Sequence, residues 1–312
     1  MISRREVLVG LGAGAALAAC GKSKSLGRSA AVRDGSVRAV ERVLAGIPAV
    51  DGAGTPLVRV IGQPTLRHLD PFILLDGLEA HGGARVPGFP DHPHRGFETI
   101  SVMLEGQVRH RDSRGNAGIV PAGGVQWMTA GRGIIHSEFP ETVDGGLFGF
   151  QLWLNLPARE KMRAQEYQEL APARLAEGKI SSSGNVARVI AGEVDGLRGP
   201  AAPRTTAPLL LTLRLDDDRA VEIPTPRDHT AFAYVHTGAV EIGGTAVVAP
   251  GLALLGRGAR VRLRARDQQS GVLVAAAAPI GEPIVQRGPF VMNTEAEIER
   301  AFAEYRAGTL AL

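Results

Sequence analysis

Three histidines and a glutamate carry the chemistry this sequence offers. They lie in two short blocks, Asp91-His92-Pro93-His94-Arg95-Gly96-Phe97-Glu98 and Gly131-Arg132-Gly133-Ile134-Ile135-His136-Ser137-Glu138. In an extended strand, residues i and i+2 project from one face. His92 and His94 form one such pair, and His136 and Glu138 form the other. If both strands face one point, three imidazoles and a carboxylate converge on a single divalent metal. A donor set without thiolate suits Fe, Mn, Co, Ni, Cu or Zn, and it is close to the facial triad of non-haem iron. Four protein ligands leave two octahedral positions for water, O2 or substrate. Glu98 shares the parity of His92 and His94 and competes with Glu138 for the carboxylate place.

The elements that must position these residues read as short strands broken by turns. Candidates are Phe97 to Leu104, Val108 to Asp112, Gly118 to Gly124 and Gly149 to Asn155, then Leu209 to Leu215, Ala231 to Val235, Ala239 to Ile242 and Gly271 to Ala275. Forty glycines and twenty prolines supply the turns. This spacing predicts an all-β sandwich or barrel, and the second half repeats the architecture of the first. Residues 157–190 read as a polar, partly helical connection. The expected organisation is a first domain over 36–156, the connection, a second domain over 191–293 and a terminal helix over 294–308. Thr294-Glu295-Ala296-Glu297 is a capping box, Ile298, Ala301, Phe302 and Tyr305 follow at helical spacing, and Gly308 is the expected C-terminal stop.

The head of the chain has a different character. Arg4 and Arg5 precede an uncharged run from Val7 to Ala19 that is too short to span a bilayer. Residues 1–19 therefore read as an export signal, and 20–35 as a tether. Ser3-Arg4-Arg5 resembles the twin-arginine signal, and Leu17-Ala18-Ala19-Cys20 resembles the lipobox of bacterial lipoproteins. Cys20 is the single cysteine in the sequence, which excludes an intramolecular disulfide. The expectation is an exported envelope protein lipidated at Cys20 and tethered to a membrane. The formal charge of +3, lower by one without Arg4, Arg5 and Glu6, argues against nucleic acid as a main partner.

His-x-His-x-x-x-Glu followed by Gly106 is close to the first cupin motif, and Pro121-x-Gly123 leading to His136 approximates the second. The match narrows further. Asp91 to Thr99, Gln126 to Glu138, Gln151-Leu152-Trp153-Leu154-Asn155-Leu156-Pro157 and Gly288-Pro289-Phe290-Val291-Met292-Asn293-Thr294 resemble the pirin family. So does the connecting stretch from Glu160-Lys161-Met162 to Tyr167-Gln168, and the resemblance covers residues 37–308. It implies two cupin barrels, double-stranded β-helices of the jelly-roll kind. It implies Fe(II) held by His92, His94, His136 and Glu138, with Glu98 left beside the site or facing substrate. Export departs from the family, whose members are mostly intracellular.

The resemblance also implies a reaction, the quercetin 2,3-dioxygenase type, in which O2 opens the heterocycle of a flavonol. Glu138 or Glu98 would accept the proton of the substrate hydroxyl. The alternative is a non-enzymic module that reports the oxidation state of its metal to an envelope protein of unnamed identity. A zinc hydrolase or isomerase on the same scaffold ranks third. Arg95 reads equally as a substrate-orienting group or a structural ion pair. Trp127 and Met128 read as core, His110 as a neighbouring-strand bystander, and His68, His81, His229 and His236 as unpartnered histidines. His229 and His236 are of opposite parity, so the second barrel is expected to lack a metal. Arg260, Arg262, Arg264 and Arg266 alternate with apolar residues. They read as a solvated strand face that deters edge pairing, in preference to a contact with anionic lipid.

Overall fold

The computed structural model describes residues 35–312. The expected signal, Cys20 and the tether up to residue 34 lie outside the described residues. Among these residues no helix is long and apolar enough to cross a membrane.

Two barrels account for nearly all of the strands. In the first, a seven-stranded sheet runs in the order Glu166–Leu170, Val125–Thr129, Phe97–Glu105, Leu147–Asn155, Phe72–Ala80, Thr55–Ile61, Ile47–Asp51. It faces a four-stranded sheet in the order Phe89–His94, Ile134–Glu141, Gln107–Asp112, Ala117–Pro121. The second barrel repeats the plan. Its seven-stranded sheet centres on Thr230–Thr237, Ser270–Ala277 and Leu209–Leu215, and its four-stranded sheet is Val221–Pro224, Arg260–Ala265, Ala239–Ile242, Thr245–Val248. The all-β, two-barrel expectation holds.

Strand alternation divides the side chains between two cores. Ile100, Val102, Phe150 and Leu152 point out of the first barrel and pack with Leu210, Phe232, Tyr234 and Leu273 of the second. The two large sheets therefore lie face to face, pinned by the edge-on pair Phe72 and Phe232, whose ring centroids are 4.9 Å apart. The intervening residues, Ser101, Met103, Gln151 and Trp153, point into the first barrel. The interior of the second barrel is aliphatic throughout, with Val221, Ile223, Val261 and Leu263 at full burial.

The domain limits differ from the sequence expectation at three places. Val40–Ala45 pairs with Gly251–Leu255 and so belongs to the second barrel's sheet, although it precedes the first barrel in the chain. The connection over 157–190 is largely strand, with two short 3-10 turns at Ala158–Glu160 and Pro172–Arg174. Glu166–Leu170 closes an edge of the first sheet, and Ala176–Lys179 and Val186–Ala191 extend the second. Finally, the hairpin of Val285–Arg287 and Phe290–Met292 returns to the first barrel, where Phe290 bridges Arg95. The helix Glu295–Arg306 follows, with the expected capping box at Thr294 and Glu297, and Gly308 at φ +71 just past its end.

The arginine strand is Arg260–Ala265, an inner strand of its sheet rather than an edge. Arg260 pairs with Glu222 at 2.6 Å and Arg264 with Asp218 at 3.5 Å, so its cationic face is partly neutralised within its own barrel.

Candidate metal centre

The strand Phe89–His94 lies antiparallel to Ile134–Glu141, with His136 opposite His92 and Ile134 opposite His94. The register slips after His136, which leaves Glu138 opposite Phe89. His94 and His136 are almost wholly buried, and His92 is half-buried at the mouth. The ring centroids are 4.7 Å apart for His92 and His94, 4.4 Å for His92 and His136, and 5.0 Å for His94 and His136. One ring nitrogen from each histidine lies within 4.8 Å of the others, the one such group of metal-binding side chains among the described residues.

Hydrogen bonds indicate which nitrogen His92 and His94 offer. His92 Nδ1 lies 2.8 Å from the Pro90 carbonyl oxygen and His94 Nδ1 lies 3.3 Å from that of Pro289. A carbonyl can only accept, so each Nδ1 carries the proton and each Nε2 keeps its lone pair. His94 Nε2 and both ring nitrogens of His136 are buried with no protein partner. Such an orphan costs about 1–3 kcal/mol, which a bound cation would offset. Burial, with the neighbouring imidazoles, holds His94 and His136 well below the usual histidine range. They are therefore neutral, the form that binds a metal. The residues present fit a divalent metal.

Glu138 stands beside this trio but outside it. Its Oε2 is 3.8 Å from His136 Nε2, and Oε1 accepts from Ser101 Oγ at 3.2 Å. Gln151 Nε2 donates to both carboxylate oxygens, at 3.0 and 2.8 Å. Trp153 Nε1 in turn donates to Gln151 Oε1 at 3.1 Å. The Trp153 indole packs on His94 at 5.1 Å and on Phe97 at 4.3 Å.

Glu98 is directed elsewhere. Gly96, at φ +91, breaks the strand between His94 and Phe97 and shifts the alternation by one residue. Phe97 therefore continues the histidine face. Glu98 points to the opposite side, where Oε1 accepts from Thr129 Oγ1 at 2.6 Å and lies 2.9 Å from Arg204 Nε. Burial raises its carboxyl, against the pull of Arg204 and Thr129. The expectation that Glu98 ligates, accepts a proton or faces substrate is corrected by this geometry. For Arg95 the geometry selects the structural ion pair of the two readings the sequence left open. Its buried guanidinium reaches Glu304 at 2.5 Å and the Arg132 carbonyl, so it docks the terminal helix and not a substrate.

The other histidines stay out of the cluster. His110 is buried, 3.3 Å from Glu169 and stacked on Tyr167. His68 meets Gln286, and His81 meets Glu79 at the surface. In the second barrel the strand pair in the same place, Val221–Pro224 against Arg260–Ala265, sets Ile223 opposite Val261 and Val221 opposite Leu263. Aliphatic side chains thus fill the positions that the four polar residues hold in the first.

A cleft of about 670 Å³ opens onto His92 and His94, within the usual range for a small-molecule site. Phe89, Trp153 and Leu74 form apolar wall, and Gln151 and Pro289 border the histidines. Arg59 lines it too, held at 2.8 Å by both Asp76 and Asp51. Sequence reading missed Gln151, Trp153 and Pro289 as parts of the site. The Gln-x-Trp alternation was a signal for the first two, since both share one strand face. Nothing local marks Pro289, which is 195 residues from His94.

Comparison with known proteins follows the same lines. The family model described as Pirin matches residues 54–154, and that of the Pirin C-terminal cupin domain matches 210–311. The chain belongs to the pirin family. A pirin-like protein of Caulobacter vibrioides is 41% identical over 278 residues, covering 87% of this chain and 99% of that one. A Pseudomonas aeruginosa protein provisionally named quercetin 2,3-dioxygenase is 43% identical over 276 residues, covering 86% and 96%. The crystal structure of a quercetin 2,3-dioxygenase from Acinetobacter baumannii superposes with a TM-score of 0.81 at 32% identity, covering 88% of this chain and 99% of that one. The two barrels are accordingly the two cupin domains of a pirin, and the histidine cluster sits in the amino-terminal one.

Proposed function

We propose that this pirin holds one divalent metal, Fe(II) by preference, on His92, His94 and His136 with Glu138 alongside, and that it is a dioxygenase opening the ring of a flavonol with O2. The observation that carries the reading is the trio of imidazoles whose ring nitrogens converge within 4.8 Å, with His92 and His94 lining a cleft of small-molecule size. The names of the Pseudomonas and Acinetobacter proteins support the substrate class.

When bound, the metal would supply a Lewis acid that lowers the pKa of a substrate hydroxyl and a redox centre for O2 chemistry. The protein does the rest. Phe89 and Trp153 give flat apolar surface for an aromatic ring. His92 and His94, fixed by Pro90 and Pro289, hold their Nε2 atoms toward one point. Glu138 Oε2, 3.8 Å from His136 Nε2, is the carboxylate oxygen placed to accept the hydroxyl proton. The test is incubation of Fe(II)-loaded protein with quercetin and O2. Loss of the flavonol absorbance, with uptake of O2, is the expected result. Absence of turnover with every first-row divalent metal would remove the dioxygenase reading.

A second reading, a metal-dependent interaction module, has one observation in its favour. The His94 bond to Pro289 ties the site to a hairpin whose turn, at Arg287 and Gly288, is exposed. Partner capture from membranes that depends on Fe(II) or Fe(III), without turnover, would select it. We also propose export and lipidation at Cys20, for which palmitate labelling lost in Cys20→Ser is the check.

A further inference from the structure

We propose that Asp51, Arg59 and Asp76 form a specificity subsite in the wall of the cleft, which recognises a neutral phenolic hydroxyl other than the one that meets the metal. The inference rests on the dioxygenase reading above and deepens it, by assigning the residues that tell one flavonol from another.

The three side chains are fixed by one another. Arg59 Nε donates to Asp76 Oδ1 at 3.0 Å, and Nη2 donates to Asp76 Oδ2 and Asp51 Oδ2, each at 2.8 Å. Arg59 and Asp76 face each other across adjacent strands of the large sheet. Asp51 ends the next strand and is held by its own turn, where the Gly52 N–H donates to Asp51 Oδ1 at 2.8 Å. Gly52 has φ +58, and a Cβ there would stand 2.6 Å from Phe89 Cδ1. The turn therefore packs on the Phe89 ring, so aromatic wall and charged triad are adjacent. Asp51, Arg59, Asp76 and Phe89 all line the cleft. Asp76 is also opposite Gln151, which borders the histidines, so Arg59 lies about 10 Å across the sheet from Gln151. A flat molecule of linked rings can meet the histidines with one ring and the triad with another.

Charge decides what the triad accepts. Two carboxylates against one guanidinium leave it net negative, and around the whole cleft Asp51, Asp76 and Asp91 outnumber Arg59 and Arg67. A carboxylate or sulfate on the far ring would meet like charge. A hydroxyl has both its needs met. It can donate to Asp76 or Asp51, which keep spare lone pairs, and accept from Arg59 Nη1, which makes no bond among the described residues. Asp76 gains most from it. Burial raises its carboxyl to about 6 against the pull of Arg59, the sign of a carboxylate short of donors.

The probes are quercetin and 3-hydroxyflavone, which keeps the metal-binding hydroxyl and ketone and lacks the other hydroxyls. Binding to Fe(II)-loaded protein without O2 is read by titration calorimetry, and turnover by absorbance once O2 is admitted. The proteins are the parent, Asp76→Asn and Asp51→Ala. The parent is expected to bind quercetin about tenfold or more tighter than 3-hydroxyflavone, the scale of one hydrogen bond to a charged group. Asp76→Asn should weaken quercetin by that factor and leave 3-hydroxyflavone unchanged, so that the ratio falls toward one. In turnover the loss should lie in KM and not in kcat. Asp51→Ala, at the exposed end of the triad, should act in the same direction by a smaller factor, and it decides the matter should Asp76→Asn fail to fold. A parent that binds and turns over both flavonols equally, or variants that keep the parent's ratio, overturn the subsite and leave the dioxygenase reading standing. Selective binding of quercetin that is lost in the variants, with no turnover under any first-row divalent metal, upholds the subsite and removes the dioxygenase reading. A parent that binds neither flavonol overturns both.

Discussion

His94 and Pro289 meet across 195 residues of sequence, with the imidazole Nδ1 3.3 Å from the proline carbonyl. The contact fixes the tautomer of one histidine through a segment that follows the second barrel in the chain. The first barrel's site is thus completed by the carboxy-terminal hairpin. Lys161 reinforces the join, since its buried Nζ donates to the carbonyls of Gly96 and Val291 and to Asn155 Oδ1, at 2.8, 3.0 and 2.6 Å.

Removing one imidazole should empty the site. His136→Ala and His92→Ala are each expected to weaken metal binding by more than the roughly 10–100-fold lost when an outer partner is removed. Elemental analysis of purified protein and titration with Co(II) measure this. A His136→Ala protein that retains a full equivalent of metal would show that the trio is not the site.

Glu98 and Glu138 should behave oppositely. Glu98→Gln is expected to keep the metal content of the parent, because its side chain lies against Arg204 and Thr129. Arg204→Ala strands that carboxylate in a buried place and removes a cation 5.6 Å over the Trp127 ring. Breaking a buried pair from one side costs about 3–5 kcal/mol, to be read by urea denaturation, with metal stoichiometry unchanged.

Gly96→Ala should be severe although it adds one methyl group. Gly96 has φ +91, and a Cβ there would collide with the Val291 carbonyl oxygen. Strain and overlap together predict a loss above about 3 kcal/mol, with metal affinity falling as the turn after His94 is displaced. A thermal melt within a degree or two of the parent would contradict this.

His236 supplies a pH dependence remote from the metal. Its ring lies among Phe148 and Phe150, and burial pulls it down to about 4. The unfolded chain protonates near pH 6.5, so between about 6.5 and 4 it takes up a proton that the folded protein refuses. The stability held by neutral His236 is full above that window and declines as pH falls through it, by about 2–3 kcal/mol. Urea midpoints at pH 7.5 and 4.5 should show the parent losing that much more than His236→Gln.

Much of the site was legible because strand parity and donor chemistry are local. His92 and His94, and then His136, could be placed on one face by counting in twos. The capped terminal helix, from Thr294 to Gly308, was legible for the same reason. Glu98 was misplaced by the same counting, since a glycine at positive φ resets the alternation and its conformation depends on Val291, far along the chain. Gln151 was visible as one face of a strand, but its partners Glu138 and Trp153 are set by packing across two sheets. The domain limits failed where strands pair out of order: Val40–Ala45 has no feature that names Gly251–Leu255 as its neighbour. The expected emptiness of the second barrel rested on the spacing of His229 and His236. At the matching positions stand Val221, Ile223, Val261 and Leu263, whose side chains carry no metal-binding atom.

That aliphatic filling has a consequence for how the whole molecule is built. A barrel whose interior gathers orphaned imidazoles and a carboxylate is a poor folding unit by itself. Its twin, dry and saturated with branched side chains, is a good one, and the two share a continuous apolar seam from Phe72 to Phe232. One copy of the scaffold has become ballast, and the other is free to stay chemically restless. Variants that loosen the silent barrel should therefore injure the metal centre from a distance, while losses at the metal centre should leave the silent barrel folded.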